Sequence, residues 1–148
     1  EAQNNADMLI MSAAVADFRP AEYAEYKIKK TADSSDAPTI QLVRNPDILR
    51  EVVERRQKTG TGARLIVGFA AETGSAERTP LELGREKLVR KGCDFLALNT
   101  VGVNQGFGTD DNTITLLSSL TDREPVFSGS KQVVSDQILR TLAQYVKP

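Results

Sequence analysis

Asp17 and Lys27 are the first residues whose types and spacing could do chemistry. Asp17 follows the small-residue turn Ser12-Ala13-Ala14-Val15-Ala16 behind the apolar run Met8-Leu9-Ile10-Met11, and Lys27 opens the lysine-rich stretch Lys27-Ile28-Lys29-Lys30. In open α/β sheets ligands bind outside the carboxyl ends of strands, where a loop brings backbone amides, a carboxylate and cations together. A carboxylate there can accept from a sugar hydroxyl or a base amine. Cations on a loop can close over phosphates and stabilise charge as it develops. A blander reading stays open for each: Asp17 as a turn-forming aspartate, and Lys27, Lys29 and Lys30, with Glu22, Glu25 and Asp33 nearby, as solvated loop charge.

Three further groups need positioning. Asn45-Pro46-Asp47-Ile48-Leu49 reads as a helix start, with Asn45 the N-cap, Pro46 in the first turn and Asp47 complementing the dipole. The unpaired first amides of such a helix can also hold an anion. Phe69, between Gly68 and Ala70 in an apolar run, is either core or, with small neighbours, a ring open to stacking on a base. Lys87 and Lys91, four apart on one helical face, are either surface charge or a pair that flanks a triphosphate. Neither G-x-G-x-x-G nor G-x-x-x-x-G-K-[ST] occurs, which removes the usual warrants for a Rossmann dehydrogenase or a P-loop NTPase.

Composition narrows the chemistry further. The 148 residues hold 19 Lys+Arg and 20 Asp+Glu, a net charge of -1 that does not favour a polyanion, so nucleic acid is not expected as a partner. There is no histidine and one cysteine, Cys93, so the imidazole base, the Cys-only metal cage and the intrachain disulfide are all missing. A metal would be oxygen-bound magnesium, with no ligand assignable. Cys93 is expected to pack rather than react. No apolar run approaches the roughly 20 residues needed to cross a bilayer, and Glu1-Ala2-Gln3-Asn4-Asn5 lacks a signal pattern, so a cytoplasmic protein is expected.

The elements that must position these residues follow from periodicity. Met8–Met11, Leu65–Ala71 and Asp94–Asn99 are short continuous apolar runs with polar residues at their ends, the pattern of strands covered on both faces. Residues 21–38 are polar and aperiodic, an exposed loop, and Thr39–Val43 alternates as a short strand. Ile48, Leu49, Val52 and Val53 form the apolar stripe of the first helix, which Gly60 and Gly62 end. Thr79-Pro80-Leu81-Glu82 spells a capping box with proline at the first helical position. After a Gly/Asn-rich loop through Asn104–Gly108, Asn112–Leu117 reads as a strand and a candidate hairpin partner of Glu124–Phe127. Ser130 can cap a closing helix with Val134, Ile138 and Leu142 on one side. The expectation is one α/β domain over residues 1–148, a Rossmann-like three-layer sandwich with a mainly parallel sheet, leaving room for a small antiparallel hairpin.

Read in order, Ala13–Pro20, Lys27–Lys30, Asn45–Leu49, Gly68–Thr73, Lys87 to Lys91, and Leu98-Asn99 followed by Asp110-Asp111-Asn112 resemble bacterial phosphopantothenate-cysteine ligase, the second half of the bifunctional coenzyme A biosynthesis protein. The resemblance runs nearly the whole chain. It implies a ligase using CTP with magnesium: the carboxylate of 4'-phosphopantothenate attacks the α-phosphate, pyrophosphate leaves, and the amine of L-cysteine displaces CMP from the acyl cytidylate. It implies further that Lys27 is the catalytic lysine of the flexible loop and that Ala13, Ala14, Asp17, Lys27, Asn45, Pro46, Asp47, Ile48, Phe69, Lys87 and Lys91 contact the nucleotide, and that the protein is a homodimer. The family's glycine-rich opening segment and its asparagine-containing loop find no match here, so the resemblance covers the carboxyl-terminal two-thirds of the ligase domain. No match to the flavin-dependent half exists either, and no FMN is expected. The alternative is a CTP-binding subdomain or fragment without turnover; a nicotinamide oxidoreductase is disfavoured by the missing glycine fingerprint.

Overall fold

The computed structural model describes residues 5–28, 39–100 and 111–146. In chain order the elements are β1 (Met8–Met11), β2 (Phe18–Pro20), β3 (Leu42–Arg44), α1 (Ile48–Thr59), β4 (Leu65–Glu72), α2 (Pro80–Lys91), β5 (Phe95–Thr100), β6 (Asp111–Ser118), β7 (Val126–Ser130) and α3 (Lys131–Ala143). They form two compact units: a sheet unit of Glu1–Ala13 with Ile48–Pro148, and a ribbon unit of Ala14–Asp47.

The sheet unit is built on a five-stranded sheet in the order β1-β4-β5-β6-β7. β1, β4 and β5 are mutually parallel, β6 runs against β5, and β7 runs against β6. Four strands therefore share one direction and β6 alone opposes them, which makes the sheet mixed but mainly parallel, with the expected hairpin supplied by β6 and β7. The continuous apolar runs bury both faces. Ile66, Ala70, Leu96, Leu98 and Leu117 pack with Val53 of α1 and Leu88 of α2. Leu65, Val67, Phe95, Ala97, Ile114 and Leu116 pack with Val134 and Leu142 of α3. Helices on both faces of one sheet make the three-layer α/β arrangement.

Two local signals form as the sequence spells them. Thr79 caps α2 by accepting from the Glu82 amide, Glu82 accepts from the Thr79 amide at 2.8 Å, and Gly92 ends the helix in the left-handed region at φ 68°. Ser130 caps α3 by accepting from the Val133 amide. Gly84 lets α2 lie close on the sheet, since a Cβ there would meet Leu98 at 2.7 Å and Leu117 at 2.9 Å.

Four expectations need correction. β1 is not covered on both faces: it is the edge strand, and Ile10 is 43% exposed. The strand expected over Thr39–Val43 is β3, Leu42–Arg44, with every residue exposed. Helix α1 starts at Ile48, so Asn45 is not its N-cap and Pro46 is not in its first turn. Asn45 has other partners: its Nδ2 donates to the Ala16 carbonyl at 2.7 Å and its Oδ1 accepts from Arg19 at 3.0 Å. Ile48 is exposed and drops out of the apolar stripe, leaving Leu49, Val52 and Val53 against the core.

The ribbon unit is the antiparallel pair β2 and β3, with Phe18 opposite Arg44 and Pro20 opposite Leu42. The Ala21 amide donates to the Gln41 carbonyl and the Asn45 amide to the Asp17 carbonyl, both at 2.8 Å, closing the ribbon at its two ends.

Candidate functional site

Within the sheet unit, polar and accessible side chains gather where β4 and β5 stop. Phe69, midway along β4 and by strand alternation on the opposite face from Glu72, is 39% exposed and lies outside the core. Glu72 ends β4, and its Oε1 lies 2.5 Å from Nζ of Lys87 on α2, with only 18% and 26% of the two side chains exposed. Strand alternation explains this: Ile66 and Ala70 face the helices α1 and α2, and Glu72, two residues on, points to the same side. Lys87 is thus neither simple surface charge nor an unpaired cation. Lys91, one turn later on α2, is half-buried. Ala13 is an exposed residue of the turn after β1, and Ile48 opens α1.

Asn99, near the end of β5, is 9% exposed, and its side-chain oxygen has no hydrogen-bond partner among the described residues. It stands beside Ala71 of β4 and Ile114 of β6. Sequence inspection assigned no site role to Glu72 or Asn99. The polar residue at the end of each apolar run was the available signal.

Within the ribbon unit, Ala14, Asp17 and Lys27 are exposed, and Asn45 and Asp47 are half-buried. The unit brings Asp17 and Asn45 together through the backbone bond, with the Asn45 side chain fixed by Ala16 and Arg19. Arg44 lies over the Phe18 ring, 6.0 Å from its centroid. Pro46 is exposed. Lys29 and Lys30, the loop Asn104–Gly108 and Asp110 lie outside the described residues.

Two other features bear on chemistry. Cys93 is fully buried against Gly68, and burial pushes its thiol up from the ordinary range, which keeps it protonated and inert as the packing role requires. A cavity of about 440 Å³ opens at the amino end of β5, lined by Phe95, Leu116, Pro125, Phe127 and Tyr145. It lies at the opposite end of the sheet from Glu72 and Lys87, and its one carboxylate, Glu124, accepts from Nε and Nη2 of Arg85 at 2.8 and 2.6 Å. The carboxyl ends of the strands are therefore the better site. No group of three or more carboxylate, cysteine or histidine side chains able to hold a metal occurs among the described residues, and no helix there is long and apolar enough to cross a membrane.

Against known proteins, the chain is 45% identical over 144 residues to the coenzyme A biosynthesis bifunctional protein CoaBC of Mycolicibacterium smegmatis, covering 97% of this chain and 34% of that protein. It is 44% identical over 140 residues to the CoaBC protein of Vibrio vulnificus, covering 92% and 32%. The chain thus spans about a third of the length of these relatives. Among solved structures it resembles a DNA/pantothenate metabolism flavoprotein from Streptococcus pneumoniae, with TM-score 0.66, 16% identity and coverage of 97% of this chain and 63% of that one. A Cab2 mutant in complex with phosphopantothenate-cysteine gives TM-score 0.62 at 19% identity over 90% of this chain and 42% of that one. These two share the fold. The family model described as DNA/pantothenate metabolism flavoprotein C-terminal domain matches residues 1–146, and the chain belongs to that family.

Proposed function

We propose that this chain is the carboxyl-terminal two-thirds of a phosphopantothenate-cysteine ligase domain and acts in coenzyme A biosynthesis, joining 4'-phosphopantothenate to L-cysteine at the expense of CTP. The observation that carries the reading is the 45% identity to CoaBC over 97% of the chain, with the ligase blocks present in order. In the first step a carboxylate oxygen of 4'-phosphopantothenate forms a bond to the α-phosphorus and the bond to pyrophosphate breaks. In the second the cysteine amine attacks the acyl carbon, CMP leaves with the bonding pair, and the amine loses a proton.

The residues fit that chemistry class. Lys27 supplies a cation from an exposed segment, and Lys87 and Lys91 supply cations from one helix face, the charge a departing pyrophosphate needs. The exposed Phe69 ring offers a surface for a base. Asp17 can accept from a ribose hydroxyl. The backbone of Ala13 and Ala14, with Asn45, Pro46, Asp47 and Ile48, completes the proposed nucleotide contacts. Magnesium, which commonly arrives on nucleotide phosphates and takes only one or two carboxylates from the protein, would neutralise phosphate charge. A homodimer belongs to this reading, and no flavin does.

The test is pyrophosphate release from CTP, magnesium and 4'-phosphopantothenate, with and without cysteine. Release is expected, and Lys27→Gln should reduce it by about a hundredfold or more with the fold intact. Wild-type release by that variant overturns the assignment of Lys27. CTP binding with no release would instead favour a nucleotide-binding module without turnover.

A further inference from the structure

We infer that Glu72 is a positioning residue: it holds the Lys87 ammonium at the carboxyl end of β4, where that cation meets the polyphosphate of the nucleotide. This inference rests on the nucleotide reading above and assigns a role to a residue that reading leaves out.

The geometry fixes one end of Lys87 through the helix and the other through Glu72. Helix α2 is pinned at its start by the Thr79–Glu82 capping box and along its buried face by Gly84 against Leu98 and Leu117. The Lys87 backbone therefore has little freedom. Its four-carbon stem would still let the ammonium drift into water, because lysine tips seek solvent. Glu72 prevents this with a 2.5 Å ion pair between side chains that are both mostly shielded. An ammonium has three donors and this contact uses one, so Lys87 can hold Glu72 and donate to a phosphate oxygen at the same time. The ordering cost of a long side chain is then met before the nucleotide arrives.

A carboxylate beside a polyphosphate would also repel it, so the two effects oppose each other and the sign of the Glu72→Gln effect decides between them. The experiment is calorimetric titration of the chain with CTP and with CMP, magnesium present, for the parent, Glu72→Gln, Lys87→Met and the double variant. Glu72→Gln keeps the shape and loses the charge. Positioning predicts about tenfold weaker CTP binding, with CMP binding nearly unchanged because the loss concerns the polyphosphate. It also predicts that the double variant binds CTP no worse than Lys87→Met alone, since both changes remove one interaction. Glu72→Asp, which keeps the charge on a shorter arm, is expected to fall between parent and Glu72→Gln. Unchanged or tighter CTP binding by Glu72→Gln overturns the inference while leaving the nucleotide reading intact. Additive losses in the double variant, or equal losses for CTP and CMP, show a general structural role and overturn it as well. A parent that binds no CTP overturns the nucleotide reading, and the inference with it.

Discussion

In the sheet unit, strands β4, β5 and β6 carry side chains with almost no solvent contact, including Ile66, Leu96, Leu116 and Leu117 at 0%. In the ribbon unit none of the described residues is buried, and Phe18, Tyr23, Tyr26, Ile28, Ile40 and Leu42 are all exposed. The first unit is held by area removed from water on two faces of a sheet. The second is held by a short ladder, two closing backbone bonds and the side-chain contacts of Asn45 and Arg19. Stability therefore resides in the sheet unit, while the ribbon unit keeps Asp17 and Lys27, its proposed nucleotide contacts, accessible. Elements of low local stability are where ligand-binding segments are commonly found.

The sharpest way to break this contrast is to empty the core. Phe95 is 2% exposed and meets Tyr145 edge-on at 5.0 Å between ring centroids. Phe95→Ala should cost about 3–5 kcal/mol, read as a lower urea midpoint at unchanged slope. A loss below about 1 kcal/mol would mean the sheet unit is not held as described.

Next in size is the latch between α1 and β5. Asp94 accepts from both arms of Arg56 at 2.7 and 2.9 Å and from the Ile66 amide at 2.7 Å. Arg56→Met keeps the stem and leaves a shielded carboxylate with one remaining donor, and is expected to cost about 2 kcal/mol in the same measurement.

Helix capping comes third. Thr79→Ala removes half the capping box of α2 and should cost about 1 kcal/mol at neutral pH. The box also shapes the acid response. The Thr79 backbone amide first, and its hydroxyl second, hold the Glu82 carboxyl below the usual glutamate range, as the Arg85 guanidinium does for Glu124. A carboxylate depressed in the folded state contributes stability above its unfolded value and loses it as pH falls through the folded one. Thr79→Ala keeps the backbone amide, so the test of Glu82 is Glu82→Gln: acidification should destabilise the parent more steeply than that variant, and parallel pH profiles would refute the role of Glu82.

The same contrast explains what could be read from the sequence. Leu65–Ala71 and Asp94–Asn99 announce themselves because burial on both faces demands continuous apolar residues, and Thr79-Pro80-Leu81-Glu82 because a cap is complete within four residues. The ribbon strands carry no such mark. With nothing buried, Phe18–Pro20 shows no alternation, and the strand near residue 40 is displaced toward Arg44. Asn45 has the sequence mark of a cap, yet the groups that engage it, on Ala16 and Arg19, lie 29 and 26 residues away. Arg56 and Asp94, 38 apart, and Glu72 with Lys87, from a strand and the following helix, are likewise invisible until the chain folds.

The smallest expected effect tests the other side of the comparison. Tyr23 is 92% exposed, and Ile28 is also exposed, at the end of the described part of the same segment. If the ribbon unit contributes little to the stability of the folded chain, replacing both residues with serine removes apolar surface that was already in water. The paired variant should then unfold within about 0.5 kcal/mol of the parent. Its effect should appear instead in nucleotide binding, because Lys27 lies between the two positions and depends on the path of that segment. A drop in stability comparable to that of Arg56→Met would show that these apolar side chains are covered in solution, and would place part of the stabilising surface in the ribbon unit after all.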